Sequence, residues 1–270
     1  MTTTRINDIQ LAYDDVGVGP AVVLIHGYPF NRSLWTEQTD ALTSRFRVVT
    51  PDLRGFGESA SGERDGSEGP VTMNRMAQDV AELMDHLGIE QAVIGGLSMG
   101  GYVALAFVKQ FPSRVKALVL ADTRAQADTE EGKQTRHQQA EKALSEGMAG
   151  IADAMLPKLL TPDTVSKRPE VVKRVRDMML KTKPQGAASA LLGMAERDDQ
   201  SEFISTIRVP TMIVVGREDA LTPLADSEKM QSKIAPSRLV VIENAGHVSN
   251  LEQTEQFNFA LIRFLDRVFA

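Results

Sequence analysis

The stretch VIGGLSMGGY, Val93 to Tyr102, places four glycines around one serine, Ser98. Glycine destabilises strand and helix interiors by roughly 0.5–1 kcal/mol relative to alanine. Its concentration here marks a backbone whose steric demand outweighs that loss. An apolar run ends at Leu97 and a helical pattern starts near Met99. A strand that turns this sharply into a helix puts its apex residue at an unfavourable positive φ. Side chains at Gly96 or Gly100 would then collide, and Gly95 and Gly101 read as further room for strand and helix to approach. The pattern is a G-x-S-x-G nucleophile elbow in the strand-to-helix context that such an elbow requires. It holds the Ser98 hydroxyl clear of the backbone, at the positive end of a helix.

Short apolar runs flank this one on both sides. Ala21–Ile25, Phe46–Thr50, Ala92–Gly96, Ala117–Ala121, Thr211–Gly216 and Arg238–Glu243 are too short for helices and rich in Val, Ile and Leu. Continuous runs of this kind suit parallel strands buried on both faces. The first fifteen residues alternate loosely around an Asn-Asp turn signal and read as an antiparallel hairpin. Met76, Val80, Leu83, Met84 and Leu87 share one helical face, with Thr72 as N-cap and Gly88 as stop. Phe257, Leu261, Phe264, Leu265 and Val268 repeat that spacing. Strands alternating with helices define an α/β protein with a doubly wound, mostly parallel sheet.

Between Thr123 and Pro210 no strand pattern occurs, a span far longer than an ordinary crossover. Met148, Ile151, Met155, Leu156 and Leu159 keep helical spacing there, as do Val171, Val172, Val175, Met178 and Met179. The span reads as a helical cap over one edge of the sheet, its methionines giving an adaptable apolar underside. The expected division is a core of residues 1–123 and 208–270 and a cap of residues 124–207. Ser59–Pro70 reads as a polar surface loop.

The 270 residues are 42% hydrophobic and 24% charged, with a formal net charge of −6. That charge argues against a nucleic-acid or anionic-membrane surface, which needs clustered Lys and Arg. Without cysteine there is no disulfide, thiolate metal site or Cys nucleophile. No apolar run approaches the ~20 residues of a membrane span. The opening MTTTRINDIQ lacks the basic and apolar regions of a secretion signal, so the expectation is a cytoplasmic protein. The expected partner is a small-molecule substrate, and a homo-oligomer stays open.

A serine hydroxyl needs a base, and on a strand–elbow–helix frame the order is Ser, acid, His. The chain has four histidines. His247, in ENAGHVSNLEQ, lies between the last strand and the last helix, at the same sheet edge as Ser98. His86 and His137 lie on helical patterns and read as solvated. His26 precedes the serine and reads as a structural histidine bonding its own loop. For the acid, TMIVVGREDALTP offers Glu218 and Asp219; Ala220 and Leu221 after Asp219 turn it inward, and Glu218 faces solvent. Asp122, ending ALVLAD, is the rival acid, or else an anchor for the start of the cap.

Attack on a carbonyl requires backbone N–H donors for the oxyanion. Met99, next to the serine, is one candidate, and Tyr28 in LIHGYPF is the other. Pro29, without an N–H, stiffens that loop. Asp52 and Arg54 in DLRGFGES are expected to brace neighbouring loops. The cap and Val248, beside the base, are expected to line an apolar acyl or alcohol pocket.

HGYP, DLRGFGES, GLSMGG, GREDALTP and AGHVSNLEQ, in that order, span nearly the whole chain. Together they resemble the α/β-hydrolase superfamily, and within it small bacterial esterases, lactonases and cofactor-free perhydrolases. The resemblance implies an eight-stranded sheet, with Ser98 as nucleophile, Asp219 as acid and His247 as base. Haloalkane dehalogenases and epoxide hydrolases carry Asp at the nucleophile position, so Ser98 argues against both. The implied activity is hydrolysis of small, largely apolar carboxylic esters or lactones through an acyl-enzyme, with no metal or organic cofactor. The competing readings are hydrolysis of a carbon–carbon bond in a vinylogous diketone, and ligand binding without catalysis.

Overall fold

The structure is a computed structural model that describes residues 2–61 and 69–270. Most of the polar loop expected at Ser59–Pro70 lies outside the described residues. The strands are β1 (Thr2–Ile6), β2 (Ile9–Val16), β3 (Ala21–Ile25), β4 (Arg47–Pro51), β5 (Ala92–Leu97), β6 (Val115–Ala121), β7 (Thr211–Gly216) and β8 (Ser237–Ile242). They form one sheet of eight in the order β1-β2-β4-β3-β5-β6-β7-β8.

β1 and β2 make the expected hairpin, and β2 pairs antiparallel with β4. Its turn holds Asn7 at φ 53°, a left-handed conformation that asparagine tolerates. The other strand pairs are parallel. Strand order reverses between β3 and β5, so the loops after these strands diverge and leave a crevice at their C-terminal ends.

All six apolar runs are strands. β6 begins at Val115, earlier than its apolar run, because Lys116 points to solvent within a strand that is otherwise buried. β8 differs from the double burial expected of it: as an edge strand it is partly exposed over most of its length.

The helices are α1 (Thr36–Leu42), α2 (Met73–His86), α3 (Met99–Gln110), α4 (Glu130–Glu146), α5 (Ala149–Leu159), α6 (Pro162–Lys167), α7 (Pro169–Leu180), α8 (Pro184–Ala195), α9 (Leu224–Lys233), α10 (Ser249–Glu252) and α11 (Thr254–Val268). Strand alternation sorts the core into two layers. Val23, Ile25, Val49 and Ile94 pack with α2, α3 and α9. Val22, Leu24, Val48 and Val93 pack with α1 and α11. Thr72 caps α2 by accepting from Arg75 N–H at 3.2 Å, and Gly88 leaves the helix at φ 65°. Helices α4 to α8 occupy the chain between β6 and β7, with α4 packed along α8 and α5 along α7.

Candidate active site

Ser98 joins β5 to α3 with φ 55° and ψ −115°. Such a backbone costs about 1–3 kcal/mol and persists only where its surroundings over-determine it. A Cβ on Gly96 would stand 2.0 Å from the Gly100 carbonyl oxygen, and one on Gly100 would stand 2.2 Å from that of Ile25. The outer glycines serve neighbours other than those expected. Gly95 admits the Leu24 side chain of β3, and Gly101 admits Thr123, beyond the end of β6. Thr123 also donates its hydroxyl to the Ser98 carbonyl at 2.8 Å, and Ser98 N–H donates to Ala121 at 2.9 Å. The apex is thus clamped from the neighbouring strand.

His247 lies between β8 and α10. Its Nε2 is 2.8 Å from Ser98 Oγ. Its Nδ1 is 2.8 Å from Asp219 Oδ2 and 2.9 Å from Oδ1. With Nδ1–H given to the carboxylate, Nε2 is left to accept from the Ser98 hydroxyl. Asp219, after β7, also accepts from Leu221 N–H at 2.8 Å, Thr222 N–H at 2.9 Å and the Thr222 hydroxyl at 2.7 Å. Burial disfavours the Asp219 charge, but the His247 and Thr222 contacts outweigh it and hold the carboxyl below the usual range. Burial also disfavours the His247 imidazolium; the charge and hydrogen bond of Asp219 outweigh it, and the His247 pKa is raised. Glu218 is exposed, as its neighbours implied. So are His86 and His137.

Asp122 is also buried, at φ 44°. It accepts from Gly216 N–H at 2.8 Å and from the Ser249 hydroxyl at 2.6 Å. It makes no hydrogen bond to His247 or to α4 among the described residues, so it acts on the imidazole only through its charge and does not anchor the helices that follow. It ties the end of β7 to the start of α10. Burial, reinforced by the Asp219 charge, pushes its carboxyl well above the usual range.

Tyr28 lies in the loop after β3 and Met99 at the first turn of α3. Neither backbone N–H has an acceptor among the described residues. His26 behaves as its position predicts: Nδ1–H donates to the Gly27 carbonyl at 2.9 Å and Nε2 accepts from Leu53 N–H at 2.9 Å. Burial lowers its pKa, consistent with a neutral ring that accepts at one nitrogen. Asp52 accepts from the N–H groups of Arg32 and Glu58 at 2.7 and 2.9 Å, and pairs with the Arg32 guanidinium. Arg54 forks onto Asp79 at 2.8 and 2.9 Å and reaches Asp8 at 2.8 Å. Both residues brace loops.

Ser98 and His247 open into a cavity of about 440 Å³. Tyr28, Tyr102, Ile151, Met155, Leu191 and Met194 give it apolar surface. Arg124, Asp128, Arg136, Lys142 and Lys158 line it too, so the mainly apolar pocket that the sequence suggested also carries a charged wall. Val248 is not in its wall. That side chain is wholly buried in the apolar layer with Leu159 and Leu251, pointing away from the crevice although it adjoins His247.

Two supports of the site escaped the sequence reading. Thr222 braces Asp219, and Asp with Thr three positions on is a turn signature that could have revealed it. Glu252 is buried and accepts from Gly246 N–H at 2.6 Å, Thr161 N–H at 2.8 Å and the Thr161 hydroxyl at 2.9 Å. With His247 N–H donating to the Leu159 carbonyl at 2.9 Å, it pins the junction of α5 and α6 to the histidine loop. The 91 positions between Glu252 and Thr161 leave no local signal. Among the described residues no helix is long and apolar enough to cross a membrane.

A serine elbow, a histidine after the last strand and a carboxylate after β7, gathered at one edge of a mostly parallel sheet, define a class of protein rather than a substrate. The family model for the alpha/beta hydrolase fold matches residues 20–254, and the chain belongs to that family. Among individual relatives, it is 32% identical to the 3-oxoadipate enol-lactonase 1 of Acinetobacter baylyi, over 88% of this chain and 85% of that protein. Its fold superposes with a TM-score of 0.96 on a thermophilic esterase from Thermogutta terrifontis, solved with malate bound, at 41% identity over the full length of both chains. An enol-lactonase from Burkholderia xenovorans gives a TM-score of 0.90 at 31% identity, over 98% of this chain and 100% of that one.

Proposed function

We propose that this α/β-hydrolase cleaves carboxylic esters or lactones through an acyl-enzyme on Ser98. The observation that carries the reading is the line Ser98 Oγ–His247 Nε2–Asp219, with 2.8 Å at each contact. Relatives named as an esterase and as enol-lactonases support the choice of bond.

His247 Nε2 takes the hydroxyl proton as Ser98 Oγ attacks the carbonyl carbon. The carbonyl oxygen becomes an oxyanion, to which Tyr28 and Met99 N–H donate; a single such donor is worth about 3 kcal/mol. The carbon–oxygen bond of the leaving alcohol then breaks, and the imidazolium, steadied by Asp219, returns the proton to that oxygen. In a lactone the alcohol stays tethered to the acyl group. Water enters, gives a proton to His247 and attacks the acyl carbon. Ser98 Oγ leaves and takes the proton back, and the carboxylic acid departs. None of these steps calls on a metal or cofactor.

In this reading residues 124–207 form a cap over a core of residues 1–123 and 208–270. Residues of α4, α5 and α8 in the cavity wall support it.

The test is hydrolysis of short p-nitrophenyl esters and of small lactones by the wild type and by Ser98→Ala. The variant should lose at least ~10³-fold in kcat; turnover near wild type would overturn the role of Ser98. A fluorophosphonate should label the wild type and not the variant, and wild type that labels without turning anything over would be a binding protein. Hydrolysis of a vinylogous diketone is a second reading, favoured by the cationic side chains in the cavity wall. A panel of ring-cleavage products beside the esters separates the two.

A further inference from the structure

The cavity wall carries four cationic side chains, Arg124, Arg136, Lys142 and Lys158, against one carboxylate, Asp128. The chain as a whole is acidic, at −6. A local excess of cations in the cavity that holds Ser98 and His247 therefore runs against the molecular average.

Asp128 does not neutralise it. Its side chain is buried and is shared by three guanidinium groups: Arg124 at 2.7 Å, Arg197 at 2.8 Å and Arg136. One negative charge among three positive ones leaves a surplus, and the sharing fixes where the guanidiniums stand. Arg197 in turn lies 4.1 Å from the Tyr102 ring centroid, so the wall is stiffened from behind. Arg124 Nε is buried and has no partner among the described residues. Lys158 forms no ion pair or hydrogen bond among the described residues, and Lys142 only approaches Glu146, at 3.7 Å.

The surplus lies within reach of the reacting groups. Burial disfavours the His247 imidazolium, and the Arg124 charge adds to that. Burial suppresses ionisation of the Tyr28 hydroxyl, and the Arg136 charge is close enough to oppose it. A neutral substrate filling this space would displace water from these cations and return no acceptor. An anionic one replaces that water with charge-assisted hydrogen bonds.

We infer that the substrate is an ester or lactone that also carries a free carboxylate, held by the Arg124–Arg136–Lys158 side of the cavity while its ester carbonyl lies at Ser98. The inference rests on the ester-hydrolase reading above. Cleavage breaks the ester carbon–oxygen bond with addition of water and yields a dicarboxylate, or a hydroxylated one from a lactone, and the anchoring carboxylate is unchanged throughout.

The experiment compares matched pairs: the monomethyl esters of succinate, glutarate and adipate, and the neutral methyl esters in which a methyl group replaces the free carboxylate. Hydrolysis is followed by pH-stat at low and high salt. At low salt the anionic member should have the higher kcat/KM by about tenfold in at least one pair, the scale of a single charge-assisted hydrogen bond. The difference should sit mainly in KM and shrink at high salt. Arg136→Gln should reduce the ratio about tenfold. Because Arg136 also holds Asp128, Lys158→Ala, an exposed and unpaired position, is the second variant, with a reduction of about threefold. A ratio at or below one in all three pairs, in wild type that turns over the neutral esters, overturns the inference and leaves the ester reading intact. A preference that survives both substitutions overturns its assignment to this wall. If neither member of any pair is hydrolysed and no fluorophosphonate label is taken up, it is the ester reading that has failed.

Discussion

Asp122 accepts the Ser249 hydroxyl at 2.6 Å, two positions beyond His247, yet the imidazole turns its Nδ1 to Asp219 at 2.8 Å. Two buried carboxylates thus lie at one edge of the sheet with separate tasks. One orients the histidine ring, and the other ties together the loops that carry the ring and its partner.

That separation is testable. Asp219→Asn should lower kcat about 10⁴-fold, because an amide at this position favours the wrong imidazole tautomer. Asp122→Asn should stay within about tenfold of wild type: its amide oxygen can still accept from Gly216, and the Ser249 hydroxyl can reverse its bond. Measuring kcat on one p-nitrophenyl ester decides it. Equal losses in the two variants would mean that the acid has been misassigned.

The pH profile follows from the raised His247 pKa. In the proposed mechanism His247 must be neutral to accept the serine proton. The acid limb of kcat/KM should therefore lie above the ordinary histidine value of about 6.5. In Asp219→Asn the largest influences that raise the His247 pKa are gone, while burial and the Arg124 charge still lower it against the Asp122 charge, and the limb of the residual activity should move down. Stability runs the other way. The contribution of the charged His247 is fully present below about pH 6.5 and is lost as pH rises through the folded value. Thermal denaturation from pH 5 to 9 should show the wild type losing more of its Tm advantage over Asp219→Asn as activity rises (window set by these pKa values).

The elbow makes a steric prediction. In Gly100→Ala the new methyl would meet the Ile25 carbonyl oxygen at 2.2 Å, and neither it nor the His26 carbonyl at 2.8 Å can rotate away. α3 must part from β3, at about 3 kcal/mol or more. Gly69→Ala, whose Cβ meets nothing within 4 Å among the described residues, is the control and should lie within about 0.5 kcal/mol of wild type. Denaturant midpoints of both variants measure this.

A stability change with no change in chemistry is expected at Asp79. It is buried, forks with Arg54 and accepts from Asn7 Nδ2 at 2.8 Å. Asp79→Ala leaves a buried guanidinium with only the half-exposed Asp8, and should cost about 3–5 kcal/mol. At a temperature where the variant is folded, kcat on a simple ester should match wild type. A large fall in kcat there would show that this region reaches the reaction centre.

How much of this was legible in the chain depends on the range of the interaction. The strands β3 and β7 were readable to the residue, because buried parallel strands are continuous apolar runs and Gly or a polar residue ends each one. The turn at Ser98 was readable because its steric demand is met by glycines within a few positions. His247 and Asp219 were found by their order after particular strands, and the strands carry both side chains to the Ser98 edge. Val248 was misplaced: adjacency to His247 says nothing about direction, and its side chain packs into the core.

What the chain alone determined was its local alternation: eight strands, the helices between them, and the sharp bend that exposes one hydroxyl. These follow from periodicity and from contacts between near neighbours. Only the tertiary structure decided which carboxylate faces the imidazole, what Glu252 pins, and that Arg124, Arg136 and Lys158 share a wall. Arg124 lies before α4, Arg136 on α4 and Lys158 on α5, so no single element carries the three together. Electrostatics acts through space, and residues far apart in sequence become one charged surface only once the sheet and the helices over it bring them within a few ångströms.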